Sequence, residues 1–228
     1  MIIPGFRAPR AILFDLDGTL ADTAPDLAAA LNRLRQQRGM KPAALEILRP
    51  HASSGARGLI GAGLGKTPQD AEYEALRIAF LDHYESALAH HTTLFDGVMP
   101  LLQQLQELGL SWGIVTNKAA RFTEPLVPQI GLQHAGCVVS GDTTPYSKPH
   151  PAPLLEAARR LNLAAADCWY VGDDLRDIQA AHAAGMASLA AGWGYCGNQE
   201  PVSWNAHYLL AHPLEIITIL KSQIQSTT

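Results

Sequence analysis

The sequence predicts an α/β fold: a Rossmann-like parallel-sheet core, entered by one strand and then interrupted by an all-helical insert. Six short apolar runs bounded by Gly, Asp, Asn or Pro read as buried strands. Helical patterns fall between them, the alternation that builds βαβ units and a parallel sheet. Residues 22–93 break the alternation, holding helical stretches and no convincing strand. The expected organisation is a core of residues 1–21 and 94–228 with a helical cap of residues 22–93.

Taken in order, RAILF (10–14) is an apolar run that ends on acids and reads as the first strand. The insert follows, its helices carried by APDLAAALNRLRQQRG and DAEYEALRIAFLDHYESALAHH. The core resumes with MPLLQQLQELG (99–109), a helix closed by glycine, and LSWGIVT (110–116), the second core strand. GCVVS (136–140), CWYVG (168–172), ASLAA (187–191) and AHYLL (206–210) supply the other strands. HPAPLLEAARRLN (150–162) and DIQAAHAAG (177–185) supply helices that stop at Asn or Gly.

Bulk composition narrows the function. A chain of 228 residues, 47% hydrophobic and 17% charged, is ordinary globular material. The net charge of −4 comes with no basic block, which argues against a nucleic-acid partner. No run reaches the roughly 18 apolar residues of a membrane span, and the start, MIIPGFRAPR, does not read as a secretory signal. A cytoplasmic protein, monomeric or homodimeric, is expected. Cys137, Cys168 and Cys196 are odd in number with no CxxC, so they read as buried small hydrophobes.

In an open parallel sheet, ligands bind beyond the carboxyl ends of the strands, near a topological switch point. That rule selects Asp15 and Asp17 after the first strand, Thr116 and Asn117 after the second, and Asp173, Asp174 and Asp177 in VGDDLRD. Lys148, in SKPHP, opens the segment leading into a helix. Asp15 and Asp17 repel each other unless a cation or a shared proton offsets them. Their spacing is therefore chemical in origin.

Three local motifs resemble other sites and fail on detail. DLDG places its glycine, Gly18, fourth where an EF-hand loop needs it sixth, and the twelfth residue is Asp26 where that loop carries a bidentate Glu. GAGLGKT (61–67) lacks the glycine and the leading strand of a P-loop, since Ile60 stands where the glycine belongs. Thr67 and Pro68 read instead as an N-cap and first helical residue. GWGYCG (192–197) fits GxGxxG in form, but NQEP rather than a helix follows, so it reads as a loop.

The four-part set is chemically complementary. Hydrolysis of a phosphate monoester is among the slowest uncatalysed reactions. A site for it wants a nucleophile, a proton donor, a metal and fixed positive charge. Asp15 suits attack on phosphorus, forming an aspartyl-phosphate. Asp17 suits protonation of the leaving oxygen and later deprotonation of water. Mg²⁺ prefers a few carboxylates with waters and phosphate oxygens, so Asp15, Asp173 and the backbone carbonyl of Asp17 would hold it, with Asp174 and Asp177 as outer support. Lys148 is a point charge for nucleophile and phosphate, while Thr116 and the Asn117 amide donate to phosphate oxygens. Singly, each residue has a structural explanation as a cap, a turn or a solvated charge. Jointly, in this order at strand ends, they do not.

FDLDGTL, VTN, SKPHP and VGDDLRD resemble the four motifs of the haloacid dehalogenase superfamily, and a helical insert after the first motif is similar to its small-cap branch. The resemblance spans nearly the whole chain. It implies Asp15 as nucleophile, Asp17 as acid/base and Asp173 as a metal ligand. The superfamily's dehalogenases lack the second aspartate of the first motif, so Asp17 favours phosphotransfer. DGTLADTAPDLAAALN and VTNK resemble phosphoglycolate phosphatases; SSGARGLI, RFTEPL and GDDLRDIQAAHAAGM are also similar to N-acetylmuramate 6-phosphate phosphatases. Asp174 departs from relatives, many of which carry serine there.

Specificity is expected from the insert, because the motif residues see only the phosphate. Its proposed reader is HASSGARG: Ser53, Ser54 and Gly55 start a helix whose amides favour anions, and Arg57 clamps a carboxylate. His90 and His91 read as surface residues. The expected activity is a Mg²⁺-dependent phosphomonoesterase for a small phosphorylated acid, phosphoglycolate ranking ahead of N-acetylmuramate 6-phosphate. A sugar phosphomutase and a non-catalytic anion- or metal-binding module on the same fold are the alternatives.

Overall fold

The computed structural model describes residues 3–197 and 200–225. Its main sheet has six parallel strands in the order β5-β4-β1-β6-β7-β8. These are β1 (Ala11–Phe14), β4 (Ser111–Val115), β5 (Val138–Val139), β6 (Cys168–Gly172), β7 (Ala187–Ala191) and β8 (Tyr208–Leu210). Each lies within the run expected of it. A parallel sheet buries both faces under crossover helices, and β1 shows the alternation that this requires. Ile12 and Phe14 enter one core with α5 (Val98–Glu107) and α9 (Glu215–Gln225), whereas Ala11 and Leu13 enter the other with α7 (Ala152–Arg160) and α8 (Leu175–Ala184). All four side chains of β1 are fully buried.

The connection order creates the site. From β1 the chain builds outward to β4 and β5, then returns to place β6 on the other side of β1. Strand order therefore reverses between β1 and β6, and the crevice that binds ligands in such sheets opens there. Asp15 follows β1 and Asp173 follows β6, so the two acids flank that crevice.

Between Ala24 and Glu85 the regular elements are helical: α1 (Ala24–Gln37), α2 (Leu45–Leu48), a 3₁₀ segment (Arg49–Ser54), α3 (Gly55–Leu64) and α4 (Tyr73–Glu85). They share an apolar cluster built around Leu27, Leu31, Ile60 and Phe80, which Phe122 of α6 (Ala120–Gln129) and Tyr195 join from the core side. The expectation of no strand in residues 22–93 needs one correction. β2 (Ala21–Asp22) and β3 (Thr93–Leu94) form a two-residue antiparallel ribbon, so the chain leaves for the helices and returns from them side by side. Elements this short carry no alternation for a sequence reading to detect.

Two further differences are local. Thr67 does not cap a helix: its amide and hydroxyl both donate to Asp70, closing a turn, and α4 starts only at Tyr73. The GAGLGKT segment is the end of α3, with Gly65 in the left-handed conformation that terminates it (φ 65°). Helix α6 forms despite Pro125 and Pro128, residues that obscure a helical pattern because proline removes a donor. GWGYCG is a loop, Cys137 and Cys168 are buried, Cys196 is half-buried, and His90 and His91 are exposed.

Candidate active site

The turn after β1 brings the first acids together. Asp15 continues the β1 ladder, its amide donating to the Val171 carbonyl, and the chain then folds tightly through Gly18 (φ +93°) back to β2. A Cβ on Gly18 would stand 2.1 Å from Oδ2 of Asp173, so only glycine lets this turn approach the end of β6. Gly194 closes the same place from the β7 side, where a Cβ would meet the Asp173 Cβ and the Gly18 carbonyl, each at 2.3 Å.

Lys148 is the hub of the core acids. Its Nζ donates to Asp15 Oδ1 (2.7 Å), Asp177 Oδ1 (2.7 Å), the Val115 carbonyl (2.9 Å) and Tyr170 Oη (2.8 Å). The side chain is 2% exposed. Burial disfavours its charge, but Asp15 and Asp177 outweigh that and hold its pKa above the ordinary lysine value. Asp15 responds in the opposite sense: burial pushes its carboxyl up to about 7, against the pull of Lys148 and with the help of Asp177. Burial and the charges of Asp15 and Asp177 push Asp173 well above the usual carboxylate range. The hydrogen bonds holding Asp173 come from Thr19 Oγ1 (2.9 Å) and the Tyr195 amide (2.9 Å).

One oxygen each from Asp15, Asp173 and Asp177 lie within 4.8 Å of one another. Asp177 is otherwise committed: Oδ1 accepts from Lys148 and Tyr170, and Oδ2 accepts the Asp174 amide in a capping box at the start of α8. Asp15 and Asp173 are therefore the carboxylates left to face a cation. Two crowded, buried hard-oxygen donors, both with carboxyls raised above the usual range, are the donor chemistry that suits Mg²⁺.

Asp17 sits apart from this group, its Oδ1 accepting from Thr23 Oγ1 (2.5 Å) and Lys118 Nζ (2.9 Å). Thr116 is buried, with Oγ1 accepting the Lys118 amide. Asn117 lines the cavity as well; its side-chain nitrogen donates to the Lys148 carbonyl and its side-chain oxygen accepts the Lys148 amide, so the side chain also positions Lys148. Asp174 is likewise engaged. It caps α8 by accepting the Arg176 amide, and it pairs with the Arg176 guanidinium through both oxygens (2.8 Å each). Burial works against its charge, yet Arg176 holds its carboxyl below the usual range. Arg176 in turn donates to the Ser53 carbonyl, joining α8 to the 3₁₀ segment of the insert.

A cavity of about 630 Å³ opens over these groups, reached by Asp15, Asp17, Thr116 and Lys148 from the core. Ser53, Ser54 and Gly55 line it from the insert, but Arg57 does not: it is exposed on α3 and points outside the lining. Which face of a short helix turns inward depends on how the insert packs, and HASSGARG alone does not specify that. Lys118, the last residue of VTNK, and Tyr84 also line the cavity, and the sequence reading assigns neither of them a role.

A parallel sheet whose switch point presents paired aspartates, a buried lysine and a cation-ready acid cluster defines a hydrolase-type α/β enzyme. The chain belongs to the haloacid dehalogenase-like hydrolases, whose family model matches residues 12–191. It is 47% identical to a phosphoglycolate phosphatase of Xanthomonas campestris pv. campestris, over 92% of this chain and 96% of that one. It is 39% identical to an N-acetylmuramic acid 6-phosphate phosphatase of Pseudomonas putida, over 94% and 97%. Among solved structures it resembles a predicted phosphoglycolate phosphatase from Haemophilus somnus 129pt, with a TM-score of 0.83, 27% identity and coverage of 94% and 99%.

Proposed function

We propose that the chain is a Mg²⁺-dependent phosphomonoesterase of small phosphorylated acids, acting through an aspartyl-phosphate on Asp15. One observation carries the reading: Asp15, Asp17, Thr116 and Lys148 line a single cavity, with Asp173 against the same acid cluster. The helical insert, residues 22–93, serves as the cap that walls off this cavity.

Asp15, held by Lys148, attacks phosphorus while the bond to the leaving oxygen breaks and that oxygen takes a proton from Asp17. Water then attacks the phosphoryl group, loses its proton to Asp17, and the Asp15–phosphorus bond breaks to release phosphate. Each half uses a proton-transfer group and a nucleophile placed in advance. Lys148 balances charge on Asp15 and the phosphate, and the Thr116 hydroxyl donates to a phosphate oxygen. Asp15, Asp173 and the Asp17 carbonyl would hold Mg²⁺, which would offset the repulsion between the anionic nucleophile and the anionic phosphate. Asn117, Asp177 and Tyr170 act through Lys148 as positioning residues.

Phosphoglycolate stands first among substrates, on the 47% identity to a phosphatase of that name. The size of the cavity favours a second reading, since about 630 Å³ falls in the ~300–1,000 Å³ range of pockets for ring-sized ligands; that reading is N-acetylmuramic acid 6-phosphate. The test is release of inorganic phosphate from p-nitrophenyl phosphate and from both acids. Release abolished by a chelator and restored by Mg²⁺ is the expected result. No phosphate from any ester, or an isomeric sugar phosphate in its place, would overturn the reading.

A further inference from the structure

With Arg57 outside the cavity, the carboxylate of a phosphorylated acid needs another receptor. Five other cationic side chains reach the lining. Lys148 is shared by Asp15 and Asp177, and Arg176 is held by both oxygens of Asp174. Arg77 pairs with Glu74 and Arg121 faces Glu85 on the exposed side. Lys118 differs in being buried, 7% exposed, and in having as its partner the one aspartate that must exchange a proton with substrate.

A second and independent feature lies next to it. The Tyr84 hydroxyl is buried, 1% exposed, in the wall of the same cavity; Lys118 is close enough to donate to it, and its own proton has no acceptor. A buried hydroxyl proton with no acceptor favours a ligand that accepts from it. Lys118 Nζ stands 4.6 Å from the centre of the Tyr84 ring. Lys118 comes from the loop after β4 and Tyr84 from α4 of the insert, so a core donor and an insert donor meet at one point of the cavity wall.

Resting on the phosphatase reading, we infer that Lys118 and the Tyr84 hydroxyl together bind the carboxylate of the substrate. An ammonium has three donors and Asp17 accepts one of them. A carboxylate placed here takes a charge-assisted bond from Lys118 and the unused proton of Tyr84, and it competes with Asp17 for the ammonium. The position also sets the kind of acid. Lys118 lies 2.9 Å from Asp17, and Asp17 must reach the leaving oxygen. A carboxylate read by Lys118 therefore lies within a bond or two of the ester carbon, as in a 2-phosphooxy acid. An acid whose carboxylate is carried on the far side of a sugar ring does not reach it.

The experiment compares Lys118→Met and Tyr84→Phe with the wild type on phosphoglycolate, N-acetylmuramic acid 6-phosphate and p-nitrophenyl phosphate. Wild-type release of phosphate from p-nitrophenyl phosphate is established first; without it the phosphatase reading itself fails. Lys118→Met is expected to lower kcat/KM for phosphoglycolate by about 10- to 100-fold more than for p-nitrophenyl phosphate, the worth of a hydrogen bond to a charged group. Tyr84→Phe, which removes no charge and keeps the ring, lowers the same ratio by about 10-fold. Titration calorimetry of phosphoglycolate in the Asp15→Asn background should show the same loss in affinity when Lys118→Met is added. Equal losses on all three esters, or a selective loss on the ring acid alone, would overturn the assignment.

Discussion

At the scale of single residues, the site is a problem of too many carboxylates around one lysine. Burial raises the carboxyl of Asp15 to about 7 and pushes that of Asp173 well above the usual range, so both hold protons more readily than exposed acids do. The sign of the consequence follows from linkage. Between the unfolded value near 3.9 and the folded value, the native state binds more protons than the unfolded chain, so stability is present at low pH and falls as pH rises through about 7. A divalent cation needs those carboxylates ionised and must displace their protons. The thermal stabilisation given by millimolar Mg²⁺ is therefore expected to be larger at pH 8 than at pH 5.5; an equal shift at both values would contradict the assignment of Asp15 and Asp173 to the cation. Residues of this kind were legible in the sequence because each sits in a short motif at a strand end. Their supports were not. Tyr170 and Tyr195 act through contacts between distant segments, such as the bond from the Tyr195 amide to Asp173, and no local pattern records such a pairing.

At the scale of elements, the joint between sheet and insert is the place where the chain spends buried polar groups. Asp26, 3% exposed in the first turn of α1, accepts from the His91 amide (2.9 Å), the Thr92 amide (2.9 Å) and the Thr92 hydroxyl (2.7 Å). Beside it, Tyr195 Oη accepts the amides of Thr23 and Ala24 and donates to Asp22. The departing and returning strands are thus tied by side chains as well as by the β2–β3 ribbon. Asp26→Ala leaves the buried amide and hydroxyl of Thr92 and the part-buried amide of His91 without an acceptor, at about 2 kcal/mol, and is expected to lower Tm by about 4–8 °C. A change below about 1 °C in a thermal melt would show that the ribbon alone holds the joint. The six core strands and the longer helices were readable from apolar runs and periodicity. The joint was not, since two-residue strands have no period and Asp26 looks like any acid in a first helical turn.

At the scale of the whole molecule, a parallel sheet, its switch point and a helical insert place groups from β1, β4, β6 and the segment before α7 around one cavity. The family match over residues 12–191 and the structural likeness at a TM-score of 0.83 accord with the fold class read from the sequence. What the sequence could not convey is the face that the insert turns inward: it offered Arg57 with Ser53, Ser54 and Gly55, whereas the packing brings those three and Tyr84 to the lining and leaves Arg57 outside. The surface follows the same logic, with no described helix long and apolar enough to cross a membrane. The central claim is that this whole arrangement serves one bond-forming oxygen, on Asp15. Its most direct test is kcat for phosphate release from p-nitrophenyl phosphate by Asp15→Asn with Mg²⁺ present, alongside a thermal melt to show that the variant is folded. A fall of about 10³-fold or more in a folded protein is predicted, as for removal of a nucleophile in other enzymes; turnover near that of the wild type would contradict the account.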